Sequence, residues 1–232
     1  SIKVLNSRGE LVWSVGEGIA LEQPTAVMFV SSSEVVYSQW ESNRLFRISE
    51  KLPTRIDTLQ DMSKVVGLSA RILKLYAATD HSILALTTKP DALVRLDSAF
   101  NNPKIVIRSG SGKAKLDRPS ACAVLLSGRI AVAQSGSYPV QLFDQNGNFL
   151  LVADWNSPKP LGTWEAAAVA VDGRERIWIS DATHAQFRVY DPAGTLLAQR
   201  PFAITGRFPA DMVITSDNQL FVIDQSGRLD IY

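Results

Sequence analysis

Short apolar runs, each bounded by residues that favour turns, recur from one end of the chain to the other. The stretch from 167 to 199 shows the pattern best. Ala167–Val171 turns at Asp172-Gly173-Arg174 into Arg176–Ser180, crosses 181–185 to Phe187–Tyr190, and returns through Thr195–Gln199. Runs this short, alternating or continuously apolar and closed by Gly, Pro, Asn or Asp, are strand signals. The same order of four appears as Ala26–Val30, Val35–Gln39, Leu45–Ile48 and Arg55–Leu59, and again as Ile72–Ala77, Ile83–Thr87, Leu93–Leu96 and Ile105–Arg108. A third set is Ala121–Leu125, Ile130–Gln134, Val140–Phe143 and Phe149–Ala153. Two strands, Ile2–Leu5 and Leu11–Val15, precede these sets, and three, Met212–Thr215, Leu220–Ile223 and Arg228–Ile231, follow them. Arg71–Ala78 and Glu165–Val171 have helical propensity, which their place in the repeat overrides.

Two independent rulers fix the period. The turns Asn6-Ser7-Arg8-Gly9, Asp144-Gln145-Asn146-Gly147 and Asp191-Pro192-Ala193-Gly194 each carry Asp or Asn first and Gly fourth, the chemistry of a type I turn. Gly9 and Gly147 lie 138 residues apart, three times 46, and Gly147 and Gly194 lie 47 apart. Pro24, Pro119 and Pro209 are spaced by 95 and 90, two periods each. Four-stranded antiparallel units repeated in this way describe a β-propeller, in which no blade buries both faces alone. The expectation is one all-β domain over residues 1–232, with five repeats of about 46 residues closed by pairing the N- and C-terminal strands. Because the N-terminus supplies strands three and four and the C-terminus strands one to three, a six-bladed ring trimmed at its ends is the alternative.

The repeats resemble the NHL-type family of β-propellers. Leu21-Glu22-Gln23-Pro24, Leu116-Asp117-Arg118-Pro119 and Phe208-Pro209 resemble the family's apolar-to-proline entry into the first strand. Ile177-Trp178-Ile179-Ser180-Asp181 and Leu220-Phe221-Val222-Ile223-Asp224 resemble its second strand ending in Asp, and 186–194 its third strand and glycine turn. The family's glycine after proline is replaced by Thr25, Ser120 and Ala210. The resemblance implies a propeller that binds through the links between blades and the loops from second to third strands. Members include both binding scaffolds and enzymes, so the fold alone assigns no activity.

Composition narrows the function classes. The 232 residues are 46% hydrophobic, with 24 basic and 23 acidic side chains, so bulk electrostatic capture of nucleic acid or anionic membrane is not expected. Charge is uneven locally: residues 51–130 hold 13 Lys and Arg against 6 Asp and Glu. Within that stretch Lys64, Lys89, Lys113, Lys115 and Arg118 fall on the expected binding face. The single cysteine, Cys122, rules out an internal disulfide and reads as a small core residue.

Candidate binding residues are Trp40, Arg44, Lys64, Lys89, Lys113, Lys115, Arg118, Tyr138, Trp155, Trp164, His184 and Arg207. The aromatic members, with Phe208, would make a contact surface, or else cap the core between blades. Asp181 and Asp224 stand where a carboxylate accepts hydrogen bonds from the following turn. Glu165 and Asp211 are the only acids near the expected axial mouth, too few to cage a hard cation. His81 and His184 fall on opposite faces, which leaves no zinc or Ser–His constellation. The expectation is a non-enzymatic scaffold for a protein or peptide partner, without cofactor or membrane contact, as a monomeric domain of a longer chain. RNA binding through the basic stretch and a metal-dependent hydrolase or lyase are the alternatives.

Overall fold

The structure is a computed structural model. It describes residues 1–6, 8–15, 21, 23–40, 42–136, 138–153, 166–202 and 209–232. Two compact units divide the chain: Ser1–Tyr76 with Ser82–Ile105, and Ala77–His81 with Val106–Tyr232.

Among the described residues the chain is all-β but for one helical turn, and its successive antiparallel sheets are the blades of a five-repeat β-propeller. A two-stranded sheet comes first, from β1 (Ile2–Leu5) and β2 (Leu11–Val15). Next is a four-stranded sheet of β3 (Pro24–Ser31), β4 (Glu34–Gln39), β5 (Arg44–Ser49) and β6 (Leu52–Asp61), in chain order. A short helix, α1 (Ser63–Val66), leads to the second four-stranded sheet of β7 (Arg71–Ala77), β8 (Ile83–Thr88), β9 (Ala92–Leu96) and β10 (Lys104–Arg108). The third comprises β11 (Pro119–Val124), β12 (Ile130–Gln134), β13 (Val140–Phe143) and β14 (Phe149–Val152). The fourth comprises β15 (Ala166–Val171), β16 (Ile177–Asp181), β17 (Gln186–Tyr190) and β18 (Leu196–Pro201). A three-stranded sheet of β19 (Pro209–Ile214), β20 (Leu220–Asp224) and β21 (Leu229–Ile231) ends the chain.

Burial follows strand position. The second strands β8 and β12 and the third strand β13 are apolar almost throughout and buried along nearly their whole length, the pattern of fully buried strands. The fourth strands β6 and β18 are largely exposed. In the first unit one core joins Ala26, Val36 and Leu45 to Ile72, Ala85 and Val94. In the second, Ala121, Ala131 and Leu142 meet Val169, Ile177 and Ile179, and Ala168 and Ala170 meet Met212 and Val222 on the other side.

One kind of turn recurs among the hairpins. The first residue's side-chain oxygen accepts the backbone N–H groups two and four positions on: Asn6 from Arg8 and Glu10, Asp144 from Asn146 and Asn148, Asp191 from Ala193 and Thr195. The fourth position is left-handed, and at Gly147 (φ 85°) glycine is also needed for space, since a Cβ would lie 2.5 Å from the Val106 carbonyl oxygen. Phe100 and Glu175 take the same backbone region in the turns that Asp97 and Asp172 open.

Asp172 is the most enclosed of these carboxylates, its side chain 2% exposed. Its Oδ1 accepts N–H groups of Arg174 and Arg176, and its Oδ2 accepts Nε of Arg176 (2.6 Å) and Nε1 of Trp178 (3.1 Å). Burial pushes its pKa up, but these donors outweigh burial and hold it below the usual carboxylate value. A depressed folded-state pKa adds stability that is complete above the unfolded value near ~3.9 and disappears as pH falls through the folded value. Asp172→Ala should therefore cost about 1–3 kcal/mol at pH 7. Urea titrations at pH 7 and pH 3 should show the penalty shrinking at the lower pH.

Hydroxyl side chains tie two first strands, β3 and β11, to the next one along. Ser120 Oγ donates to the Ala133 carbonyl (3.1 Å) and to the Ala166 carbonyl of the following sheet (2.6 Å). In the first unit Thr25 Oγ1 and Ser38 Oγ donate to the Ile72 carbonyl at 3.1 and 3.2 Å. Ser120→Ala should lower stability by about 1 kcal/mol, read as a shifted denaturation midpoint with unchanged slope.

Candidate functional site

The first unit carries an open cleft of about 750 Å³ lined by Gln23, Gln39, Trp40, Asn43, Arg44 and Asp61, among others. It forms where the β4–β5 loop meets the end of β6 and the entry to β3. Backbone bonds set its walls: Trp40 N–H donates to the Gln23 carbonyl (2.8 Å), and Ile72 N–H to the Ser42 carbonyl (3.2 Å). Asn43 is buried and donates Nδ2 to the carbonyls of Gly67 (3.3 Å) and Leu68 (3.4 Å), so one amide holds the loop against the following link.

Trp40 is 51% exposed on this frame. The Arg71 guanidinium lies 5.3 Å from its ring centroid, a cation–π contact on the indole face. Arg44 Nε donates to Asp61 Oδ2 (3.1 Å), and Asp61 Oδ1 accepts the Ser63 N–H (2.9 Å). Ser63, through its hydroxyl and its N–H, and then Arg44 hold the Asp61 pKa below the usual carboxylate value. The cleft thus offers one aromatic face, an ion pair open to exchange, and two carboxamides able to donate and accept. Such a set fits an extended chain with an apolar side chain and main-chain amides.

In the second unit the loop after β16 is organised by Asp181, which is fully buried. Its carboxylate accepts the His184 N–H (3.1 Å), the Gln186 amide (3.2 Å) and Arg188 Nε (2.8 Å), and lies 2.8 Å from His184 Nδ1. Turn chemistry at Asp181 is as the sequence suggests, and Asp224 likewise accepts N–H groups of Ser226 and Arg228. The convergence of His184, Gln186 and Arg188 is additional, because antiparallel pairing of Asp181 with Gln186 brings the start of β17 back beside the carboxylate. His184 is half exposed while Arg188 is 12% exposed, so the histidine is peripheral and the arginine structural.

The remaining candidates are spread over the two units. Lys64 is exposed on α1 and Lys89 on the link into β9, where its carbonyl accepts Ser69 Oγ (3.0 Å). Lys113 and Lys115 are exposed on the loop before β11. Buried Gln141 pins that loop, accepting the Ala114 N–H (2.9 Å) and donating to the Lys115 carbonyl (2.7 Å). Arg118 donates to the Ser135 carbonyl (2.7 Å) and lies 3.6 Å from Asp117. Tyr138 is half-buried. Trp155, Trp164, Arg207, Phe208 and Glu165 lie outside the described residues. Asp211 is exposed, and its Oδ1 accepts the Met212 N–H (3.0 Å). Among the described residues no three His, Cys, Asp or Glu side chains converge, and no helix is long and apolar enough to cross a membrane.

No family model matches the chain, and no curated protein matches it in sequence. Solved structures match its fold. Virginiamycin B lyase from Staphylococcus aureus superposes with a TM-score of 0.65 at 12% identity, over 90% of this chain and 69% of the lyase. A protein assigned to the gluconolactonases gives 0.64 at 17%, over 85% and 70% of the two chains. A chain of the nidogen–laminin complex gives 0.62 at 15%, over 86% and 78%. Identities this low establish a shared propeller fold, and the three names span enzymes and a binding protein.

The Asp181 network separates support from surface chemistry. Asp181→Ala leaves the nearly buried Arg188 guanidinium without its carboxylate and should cost about 3–5 kcal/mol. His184→Ala removes a half-exposed partner and should cost no more than about 1 kcal/mol. Equilibrium denaturation of the two variants checks this order.

Proposed function

We propose that the protein is a binding propeller of NHL type, a non-enzymatic scaffold that presents the loops between second and third strands to a protein or peptide partner. The Trp40 cleft carries this reading: an exposed indole, an accessible ion pair and the carboxamides of Gln23 and Gln39 stand together around a loop that Asn43 ties to the following link. Exposed aromatic and arginine side chains on a rigid base are the usual anchors of peptide recognition. Nidogen's complex with laminin is a precedent among proteins of this fold for a propeller that holds a protein.

RNA binding through Lys113 and Lys115 is less favoured, since Arg118 beside them is already engaged by Ser135 and Asp117. Hydrolase or lyase chemistry at the mouth is less favoured, since Asp211, an acid the sequence places there, accepts the neighbouring Met212 N–H within β19.

Selection of a displayed random peptide library on the immobilised protein tests the proposal. Enriched peptides should bind at least tenfold more weakly to Trp40→Ala and to Arg44→Glu, the loss of one good anchor. Peptides insensitive to both substitutions, or no enrichment, would overturn it. Single-stranded RNA retention that falls with salt and disappears in Lys113→Glu/Lys115→Glu would favour the RNA reading instead.

A further inference from the structure

The two partners of the Arg44–Asp61 ion pair differ in what each has left to offer. Asp61 Oδ2 accepts Arg44 Nε (3.1 Å) and Asp61 Oδ1 accepts the Ser63 N–H (2.9 Å), so each carboxylate oxygen already has a donor. Arg44 carries several N–H donors in one planar fork and no acceptor. Among the described residues Nε is the only side-chain nitrogen of Arg44 that donates. Its Nη1 and Nη2 therefore remain as donors on a side chain that is 56% exposed. Asp61, itself tied to Ser63, fixes the guanidinium from the Nε side. The edge left over is one that takes a carboxylate through two parallel hydrogen bonds.

The rest of the cleft narrows the ligand further. One face of Trp40 already meets the Arg71 guanidinium, so a cation on the other face would meet a like charge across the ring. An apolar side chain meets no such cost. Leu68, 87% exposed, lines the same cleft and adds apolar surface. A peptide's terminal carboxylate is captured by a nest of main-chain N–H groups. Here the N–H groups of Trp40, Ser42, Arg44 and Ser63 are bonded, to the Gln23 and Gln39 carbonyls, Ser42 Oγ and Asp61. A guanidinium without such a nest suits a side-chain carboxylate within a passing chain.

We propose that the Trp40 cleft selects acidic peptides: an Asp or Glu side chain of the partner takes the Nη edge of Arg44, and a neighbouring apolar side chain covers Trp40. This inference rests on the peptide-binding reading of the cleft and adds the charge of the recognised residue. Asp61 acts in it as a positioning residue, since its contact is with Arg44 and Ser63.

The probe is an array of random synthetic octapeptides, printed with free and with amidated C termini. Peptides whose binding is lost with Trp40→Ala should carry an Asp or Glu, in both forms of the array. Replacing that residue by Asn or Gln should weaken binding by roughly tenfold, the loss of one charge-assisted pair. The same replacement should make no difference to binding by Arg44→Gln, and Arg44→Glu should select Lys or Arg in place of the acid. The Arg44 side chain is exposed, so Arg44→Gln should keep the Tm of the parent. Trp40-dependent peptides without an acid, or with Lys or Arg where it should stand, would overturn this inference while leaving peptide capture at the cleft intact. An acid effect that persists in Arg44→Gln would also overturn it, and so would binding confined to free C termini, which assigns Arg44 to a terminal carboxylate. The absence of any Trp40-dependent peptide would overturn both readings together.

Discussion

A sheet whose middle strands are apolar on both sides is stable only with a sheet on each side of it, and most of this protein follows from that constraint. Alternate residues of β4 show it directly: Val35 and Tyr37 enter the core shared with β1 and β2, while Val36 enters the core shared with β7 to β9. Neither face can be left open without exposing a row of large side chains. The outer strands escape the constraint, which is why β6 and β18 carry the polar residues. Two first strands, β11 and β15, meet it differently, with small side chains. Ala121 and Cys122 in β11, and Ala166, Ala168 and Ala170 in β15, are all buried, and small residues let close-packed neighbours approach without voids.

Stacking sheets face to face leaves their relative slide undetermined, because apolar contact is not directional. Hydroxyl groups supply direction. Thr25 and Ser120 each follow the proline that opens a first strand, and each donates to a carbonyl one repeat further on, at Ile72 and Ala166. The NHL pattern has glycine at this place. A glycine there offers only closeness, whereas Thr and Ser add a bond that fixes how one first strand sits against the next.

Strand positions were legible in the sequence because turn chemistry and apolar runs are local. The starts and ends of β1, β2, β12 and β13 coincide with the apolar runs themselves. The Asp-to-Gly turns were legible for the same reason, each being complete within five residues. α1 was not, since a four-residue helical turn without an N-terminal side-chain cap leaves no signature. The Trp40 cleft was half legible: the loop from β4 to β5 pointed to Trp40 and Arg44. Arg71, on the first strand of the next sheet, was hidden because its contact depends on how two sheets pack. His184 was placed correctly in a loop from second to third strand, but its engagement by Asp181 required the pairing of β16 with β17.

The same distinction explains where function can reside in this chain. Residues whose partners lie within a turn, such as Asp144 or Asp191, are consumed by the fold. Residues in loops from second to third strand are released from it once something else holds the loop. At Asn43 that holding is done by an amide reaching the carbonyls of Gly67 and Leu68, which leaves Trp40 and Arg44 no structural duty beyond their exposed contacts with Arg71 and Asp61. At Asp181 the carboxylate holds its loop by drawing in His184, Gln186 and Arg188, so the polar groups there are spent on support. Of the two loops, only the one anchored by Asn43 keeps its most interactive side chains facing solvent, and this is why the proposed binding surface is placed on the first unit rather than the second.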